Sequence, residues 1–454
     1  MSFPYRRGLW LAGVSLSLVS LASTSWAGDP RSPSPSFPPL PTSPQSNASG
    51  PSPTGAVTLE LLLAHAERHA PLLALDGAND ARIRAARAAA GRALPANPEI
   101  WVGVGPRIEG NDTGVDFEIG LSQRFEIAGE RAARLRVADA SRMAIAAESR
   151  DRHWVLHTTI HALFYQALVA RERVALAQRV VAFQEEIATV VGKQRAAGQA
   201  SQLAERIALA ESANARQELT ALTQAEFAVR QDLALVTGWS AEIPPVPHGT
   251  LEPLKSLPTL EELIALASQR RPDLAVLDAK VAQARAQIRA ADLDKTPEPV
   301  VGLSWTRESA PAGGEASHVI IATLGLPLPF FSNNEPARAE ARAALELALA
   351  EKRRVEAQIA AEVTRAFYAA QAATRRLEAY GTEVLPRFEE NLTALKRAYE
   401  LGDIDLLGLA SGRERFLEAQ RDALTAQGDY FTALAELERA VGVDVVDSHK
   451  EDKR

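Results

Sequence analysis

Three regularly spaced histidines are the residues of this sequence best suited to chemistry. His153, His157 and His161 follow one another at intervals of four residues, and His65 and His69 form a second pair with the same interval. On a helix this spacing turns the imidazole rings to one face, as a metal site needs. No carboxylate shares the spacing of the row. Two interpretations therefore stay open: His153, His157 and His161 are candidate metal ligands, or their rings only pack and hydrogen-bond.

Motifs of the common catalytic sites are absent from the sequence. There is no Walker-type phosphate loop and no His-Glu-x-x-His zinc motif. Gly103-Val104-Gly105 is followed by Pro106, which suits neither a dinucleotide-binding loop nor a helix start. The chain has no cysteine, so disulfides, thiolate metal sites and cysteine catalysis are excluded. The sequence predicts a protein that is not an enzyme and needs no cofactor.

The charge balance argues against one class of partner. The 454 residues carry a formal net charge of −7. Nucleic-acid-binding surfaces are basic because they neutralise phosphates. We therefore expect no nucleic acid partner. With 46% hydrophobic and 24% charged residues, the chain has the composition of a folded protein.

The N-terminus has the features of an export signal. Arg6 and Arg7 precede an apolar run at 8–22, and Ser25-Trp26-Ala27 places small residues where a signal peptidase requires them. A membrane anchor is the alternative, but the run of about 15 residues is shorter than the ~20 that span a bilayer as a helix. We predict a signal peptide at 1–27. The Pro/Ser-rich residues 28–57 then form a flexible tether.

An internal repeat organises the rest of the chain. Thr58-Leu59-Glu60 recurs as Thr259-Leu260-Glu261 at an offset of 201, and Gly198 and Gly238 recur as Gly402 and Gly442 at an offset of 204. A small change in the offset along the chain, here from 201 to 204, arises when one repeat has short insertions in its loops. The prediction is two repeats, 58–242 and 259–443, joined by a Pro-rich connector at 243–258 and followed by a charged tail at 444–454.

Each repeat contains two predicted strands. Phe117, Ile119 and Leu121 alternate with polar or small residues, which is the period of a sheet with one apolar face. A tilted strand of about ten residues is long enough to cross a bilayer, and Trp101 and Trp305 are expected at the membrane boundary. An ordinary soluble hairpin is the alternative. The predicted strands are 99–107, 115–125, 299–307 and 317–326.

The remaining segments predict helices, some of them very long. A helix of about 65 residues is a rod of roughly 100 Å, and interleaved alanines allow neighbouring rods to approach closely. A generic coiled coil is the alternative, but it lacks a strand pair in each half. Four strands cannot close a barrel in lipid, so several chains must pool their strands. The predicted helices are 58–93, 129–196, 201–236, 336–401 and 406–441.

Junction and tip motifs carry a resemblance to a known family. Leu121-Ser122-Gln123-Arg124-Phe125 has its counterpart in Leu324-Gly325-Leu326-Pro327-Leu328-Pro329, and the helix–helix tips 195–201 and 399–407 each contain a glycine. Because these motifs occur in the same order in both halves of the chain, residues 58–443 resemble the TolC family of outer membrane efflux proteins. The resemblance implies a mainly α fold with a membrane β-barrel portion. Its members are homotrimers, in which a twelve-stranded barrel continues as an α-helical periplasmic tunnel.

The same resemblance implies a location and partners. The protein would lie in the outer membrane with a periplasmic extension, beside a periplasmic adaptor and an inner-membrane pump of the RND type. Within the family, the Leu-Pro-Leu-Pro-Phe-Phe stretch at 326–331 and the Ala/Arg/Glu-rich helices are most similar to the CzcC-type branch. That branch implies divalent heavy-metal cations of the Co/Zn/Cd class. The alternatives are a channel for drugs or secreted proteins, and a periplasmic coiled-coil adaptor or scaffold.

The helix–helix tips are the expected docking sites for the adaptor. The residues carried by the tips are Arg195, Gly198, Tyr399 and Gly402.

Charges beside the second tip differ from those of some family members. Those members carry aspartates six and nine residues after the second tip glycine, where this chain has Gly408 and Ser411. Asp403 and Asp405 lie nearer to the tip and are candidate entrance carboxylates. The alternative is that they only cap the following helix, which Asp does routinely.

Overall fold

In the first repeat, two short helices precede a strand pair and two long helices. The computed structural model describes residues 57–109, 112–253, 256–310, 315–331, 333–401, 403–404 and 406–445. The predicted signal peptide, nearly all of the tether and most of the charged tail lie outside these residues. The elements of the first repeat are α1 (Leu59–His69), α2 (Ala74–Ala90), β1 (Glu99–Glu109), β2 (Asp112–Arg124), α3 (Glu130–Ala196) and α4 (Gln202–Thr237).

The first predicted helix, 58–93, is divided in two. Thr58 caps α1 by accepting a hydrogen bond from the Leu61 amide at 3.4 Å. At Pro71 the chain enters a short 3₁₀ turn, Pro71–Leu73, before α2 begins. Proline has no amide hydrogen and its ring crowds the preceding turn, so a continuous helix cannot pass through it. The prediction of one helix was wrong for this reason.

The second repeat follows the same order with one added irregularity. Its elements are α5 (Leu260–Arg270), α6 (Pro272–Leu293), β3 (Val300–Glu308), β4 (Ser317–Gly325), α7 (Glu335–Ala379), α8 (Leu385–Glu400) and α9 (Leu406–Val441). A π-helical turn, Tyr380–Val384, lies between α7 and α8, so the predicted helix 336–401 is helical from Glu335 to Glu400 but widens at this turn. Pro386 supplies no amide hydrogen, and the helix widens immediately before it.

In both repeats, a glycine that follows the last helix lies against the end of the first helix. Gly238 ends α4 with φ 72°, and a Cβ there would lie 2.0 Å from the carbonyl oxygen of His69. Gly442 follows α9 with φ 84°, and a Cβ there would lie 2.8 Å from the Cα of Arg271. His69 and Arg271 occupy matching places near the end of the first helix of each repeat. Only glycine allows both the left-handed backbone and the close approach.

Two of the apolar clusters in the described core lie one in each repeat, and several of their members correspond at the offsets of the repeat. Helices α1, α3 and α4 meet in the first cluster, and α5, α7 and α9 meet in the second. The first contains Leu62, Ala66, Leu156, Ile160 and Leu233. The second contains, in the same order, Leu263, Ala267, Ile359, Val363 and Leu437.

The four strands form one antiparallel sheet in the order β1-β2-β3-β4. The β2–β3 pair joins the two repeats, with Ile119 opposite Trp305. Paired residues share a face, and one face is apolar and exposed. Trp101 lies opposite Gly120 on the other face, where a Cβ at 120 would be 2.1 Å from the indole ring. The apolar face carries Ile100, Val102, Val104, Ile108, Val115, Ile119, Leu121, Val301, Leu303, Ile320 and Leu324.

Trp101 and Trp305 were predicted together at the membrane boundary. They lie on opposite faces of the sheet, and their place at the membrane boundary stays a prediction. Among the described helices, none is both long enough and apolar enough to span a bilayer.

Candidate functional site

The three histidines line one face of α3. The rings of His157 and His161 have centroids 4.3 Å apart, and Trp154 stacks on His157 at 5.4 Å. His153 is half-exposed, His157 is less exposed, and His161 is buried. The row therefore runs from solvent into the protein.

A carboxylate from another element faces each histidine of the row. His153 Nε2 lies 3.3 Å from Asp76 of α2, His157 Nε2 lies 3.6 Å from Asp444, and His161 Nδ1 lies 3.5 Å from Glu438 of α9. No carboxylate shares the spacing of the row in the sequence, and all three acids are supplied from outside α3. The three acids come from distant parts of the chain, so local spacing could not identify them.

Asp76 is already engaged by several donors besides His153. Ser149 donates a hydrogen bond to it at 2.9 Å, and Arg152 forms a salt bridge with it. Burial opposes ionisation of Asp76, but the hydrogen bonds from Arg152, Ser149 and His153 outweigh it and lower the pKa of the carboxyl. The His153 end of the row is thus a satisfied ionic cluster.

Glu438 at the other end is far less satisfied. Its side chain is 2% exposed, and its Oε1 has no hydrogen-bond partner within the described residues. Burial raises the pKa of Glu438, and the nearby Asp444 acts in the same direction, while His161 opposes both. The corresponding position in the first repeat is Ala234. That replacement of alanine by an acid is the sequence signal that could have revealed the partner.

Part of the row opens onto a cavity. His157, His161 and Asp444 line a space of about 390 Å³ together with His248 and the start of α1. Their ligand atoms all lie within 4.8 Å of one another. This arrangement brings two imidazoles and a carboxylate within reach of one small cation.

The second histidine pair has a different environment. His65 and His69 have ring centroids 4.5 Å apart, and His65 also contacts the Trp239 ring at 4.5 Å. Burial and the neighbouring His69 lower the pKa of His65. In the described part of the chain, no carboxylate ion pair reaches this pair, so its contacts are those of packing.

The first predicted docking tip lies between α3 and α4. Arg195, in the last turn of α3, forms a salt bridge with Glu205 of α4. Gly198 has φ 76°, and a Cβ there would meet no atom within 4 Å. Ser201 caps α4 by accepting from the Ala204 amide at 3.1 Å. The tip is a tight turn with an open outer surface.

The second predicted tip lies between α8 and α9. Tyr399 is in the last turn of α8, and Gly402 and Asp405 lie outside the described residues. Asp403 is exposed, and its amide donates to the Ala398 carbonyl at 2.9 Å. The docking and entrance roles of both tips stay predictions, and the structure does not join them to the histidine row.

Comparison with known proteins identifies a family for the second repeat. Residues 263–443, nearly all of the second repeat, match the family described as outer membrane efflux protein. The chain is therefore similar to the outer membrane efflux proteins that its sequence resembles. This similarity agrees with the prediction that the chain is not an enzyme, because proteins of this family are efflux channels. It also supports an outer membrane location.

Two relatives and one solved structure extend the comparison. The chain is 23% identical over 319 residues to the cobalt-zinc-cadmium resistance protein CzcC of Cupriavidus metallidurans, covering 70% of this chain and 75% of the relative. It is 27% identical over 398 residues to the pyoverdine export outer membrane protein OpmQ of Pseudomonas putida, covering 80% and 81%. The Campylobacter jejuni CmeC outer membrane channel superposes with a TM-score of 0.69 at 14% identity, covering 87% of this chain and 88% of that one. This last likeness shows a shared fold.

Proposed function

We propose that the chain is the outer-membrane channel of a tripartite efflux system and serves as the exit duct for divalent heavy-metal cations of the Co/Zn/Cd class. The proposed substrate class rests on the similarity to CzcC, a cobalt-zinc-cadmium resistance protein, over 70% of this chain. The channel itself is passive, and a pump of the RND type in the inner membrane supplies the energy through a periplasmic adaptor. The predicted signal peptide delivers the chain across the inner membrane.

The open sheet supports a homotrimer in lipid. Its eleven exposed apolar side chains on one face have no covering element among the described residues. Strands β1 and β4 are its edges, and an unpaired edge is costly in a bilayer. Pairing β4 of one copy with β1 of the next removes every edge when three copies join. Three sheets of four strands then give twelve strands around one pore.

Two exposed aromatic side chains support the same assembly. Tyr165 of α3 stacks on Phe431 of α9 with centroids 4.1 Å apart and an interplanar angle of 6°. The repeat places Tyr368 on α7 and Phe227 on α4 at the corresponding positions. These two side chains are 56% and 43% exposed in the single chain. In a closed ring, Tyr368 of one copy meets Phe227 of the next, so the contact within each chain recurs between chains.

The tips are the proposed contact with the adaptor. Gly198 permits a tight turn at the end of the first helical hairpin, and exposed loop tips commonly carry binding residues. Arg195 and Tyr399 lie beside these turns. Asp403 and Asp405 are proposed to carry charge at the entrance for cations.

Export of a small organic molecule is the second candidate function. The similarity to the pyoverdine export protein OpmQ is longer and of higher identity than the similarity to CzcC. The two candidates share the channel and differ only in the pump that feeds it.

Growth of a deletion strain separates the candidates. The parent, the deletion strain and a complemented strain are compared on zinc, cobalt, cadmium, nickel, copper and silver, beside drugs, detergents and a siderophore. We expect sensitivity confined to cations, restored by the intact gene. Sensitivity confined to organic compounds would overturn the metal proposal and leave the channel standing.

A further inference from the structure

We propose a binding site for one divalent cation of the zinc or cobalt class between α3 and the C-terminal end of α9, with four ligands: His157, His161, Glu438 and Asp444. The site is separate from the transport path and does not depend on which substrate the channel exports. The cation joins the first repeat to the end of the last helix of the second.

The donor set and its spacing suit such a cation. Two histidines four residues apart on one helix face are a common zinc-binding arrangement. Ligands of a tetrahedral zinc ion at ~2.0–2.1 Å lie ~3.3 Å from one another. The His157–Asp444 and His161–Glu438 separations are 3.6 Å and 3.5 Å. Ligand atoms of His157, His161 and Asp444 lie within 4.8 Å of one another, and Glu438 lies beside His161 at the edge of this group.

Two buried polar atoms in the cluster have no hydrogen-bond partner among the residues that the structure describes. These are Nε2 of His157 and Oε1 of Glu438. Buried polar groups are nearly always satisfied, and an exception calls for an explanation such as an ion. Two carboxylates close together in a buried place favour a cation for the same reason, because ionising both is otherwise costly. A bound divalent cation satisfies both atoms and both charges.

The repeat shows that packing alone does not require these residues. The residues at the corresponding positions of the other repeat are Ala360, Thr364, Ala234 and Ser240. The apolar cores beside the two positions are otherwise alike, with Leu62 matching Leu263 and Leu233 matching Leu437. Small neutral side chains therefore serve at the equivalent place. The ionisable set is confined to the interface between α3 and α9.

The arrangement is that of a structural site. Four protein ligands leave no open coordination position for a substrate, which is typical of structural zinc and not of catalytic zinc. His161 and Glu438 are also 7% and 2% exposed, and burial of these two ligands disfavours the rapid release that a transport path needs. Because a preformed site exists only in the folded chain, cation binding stabilises the fold. Its effect is to hold the end of α9 against α3.

Metal titration of the full chain tests the proposal. The protein is purified in detergent, freed of metal with a chelator, and titrated with Zn²⁺ and with Co²⁺. We expect one saturable site per chain, visible absorption bands of tetrahedral Co²⁺, and a rise in the thermal midpoint with Zn²⁺. His157→Ala should weaken Co²⁺ binding at least tenfold, and Glu438→Gln and the milder Asp444→Asn should each weaken it as well.

His153→Ala is the matched control on the same face of α3. Its partner Asp76 is already bound by Arg152 and Ser149, so this variant should keep the affinity of the unchanged protein. The proposal is overturned if the unchanged protein shows no saturable binding, if His157→Ala binds Co²⁺ as tightly, or if His153→Ala loses as much affinity. Loss of cation resistance in the deletion strain is a separate result, so failure of this site and failure of the proposed function are distinguishable.

Discussion

Replacing Tyr368 by alanine should weaken the contact between neighbouring subunits. Tyr368 is 56% exposed and its proposed partner Phe227 is 43% exposed in the single chain. A buried aromatic side chain covers about 150–250 Å², so mutual covering removes roughly 100 Å² of each ring from water. At ~25 cal/mol per Å² the pair is worth up to about 5 kcal/mol, and stacking adds ~0.5–1.5 kcal/mol.

Only part of that area becomes affinity, because association also costs conformational freedom. We expect a loss of about 2–4 kcal/mol at each contact, and the ring contains three such contacts. Tyr368→Phe keeps the stacking surface and should retain the trimer. Tyr165→Ala removes the equivalent pair within one chain, so it should lower the thermal midpoint while the protein stays trimeric.

Light scattering after size-exclusion chromatography in detergent measures the assembly directly. The unchanged protein and both controls should elute as trimers, and Tyr368→Ala should shift towards monomers as the protein is diluted. Because the chain has no cysteine, Phe227→Cys and Tyr368→Cys can be combined and linked by a short bismaleimide. A Tyr368→Ala trimer as resistant to dilution as the unchanged protein would refute the pairing.

Three further predictions follow from single positions. Gly238→Ala should lower the thermal midpoint by several degrees, because it adds a clash of ~1–3 kcal/mol to the left-handed backbone cost. Gly198→Ala has a similar φ but open space around it and should cost only about 1–2 kcal/mol; equal losses would contradict the contact with His69. Asp76→Asn should destabilise the protein at neutral pH. Because the pKa of Asp76 is lowered in the folded protein, its carboxylate stabilises the fold above the pKa of the unfolded chain, and this stabilisation is lost as the pH falls through the pKa of the folded protein. The difference in thermal midpoint between Asp76→Asn and the unchanged protein should therefore disappear in acid. Asp80 is exposed on the same helix, and Asp80→Asn should have the same thermal midpoint as the unchanged protein across this pH range. Gly402→Pro should leave insertion into the outer membrane intact and abolish efflux, and normal resistance in that variant would remove the docking role of the tip.

The repeat made most of the fold predictable. Thr58 and Thr259 begin equivalent helices as their shared motif indicates, and Thr259 completes a capping box with Glu262. Helix breaks were harder to see. Pro71 lies within a continuous helical pattern at 58–93, and the break that it causes was not predicted. Pro386 acts on the turn before it, so the π-helical segment has no simple period in the sequence.

The candidate site was predictable only in part. Helical spacing was enough to place His153, His157 and His161 together, because neighbours on one face depend on local geometry alone. Glu438 and Asp444 are more than 250 residues away along the chain, and only the packing of α9 on α3 brings them there. Periodicity within one helix carries no information about such contacts.

Cell-associated metal is the most direct test of the central claim that this channel exports divalent cations. The parent, the deletion strain and the complemented strain are exposed briefly to sublethal zinc, cobalt or cadmium, washed, and measured by elemental mass spectrometry. The account predicts several-fold more retained metal in the deletion strain and recovery on complementation. Equal metal content in all three strains, with retention of an organic compound in the deletion strain, would contradict it.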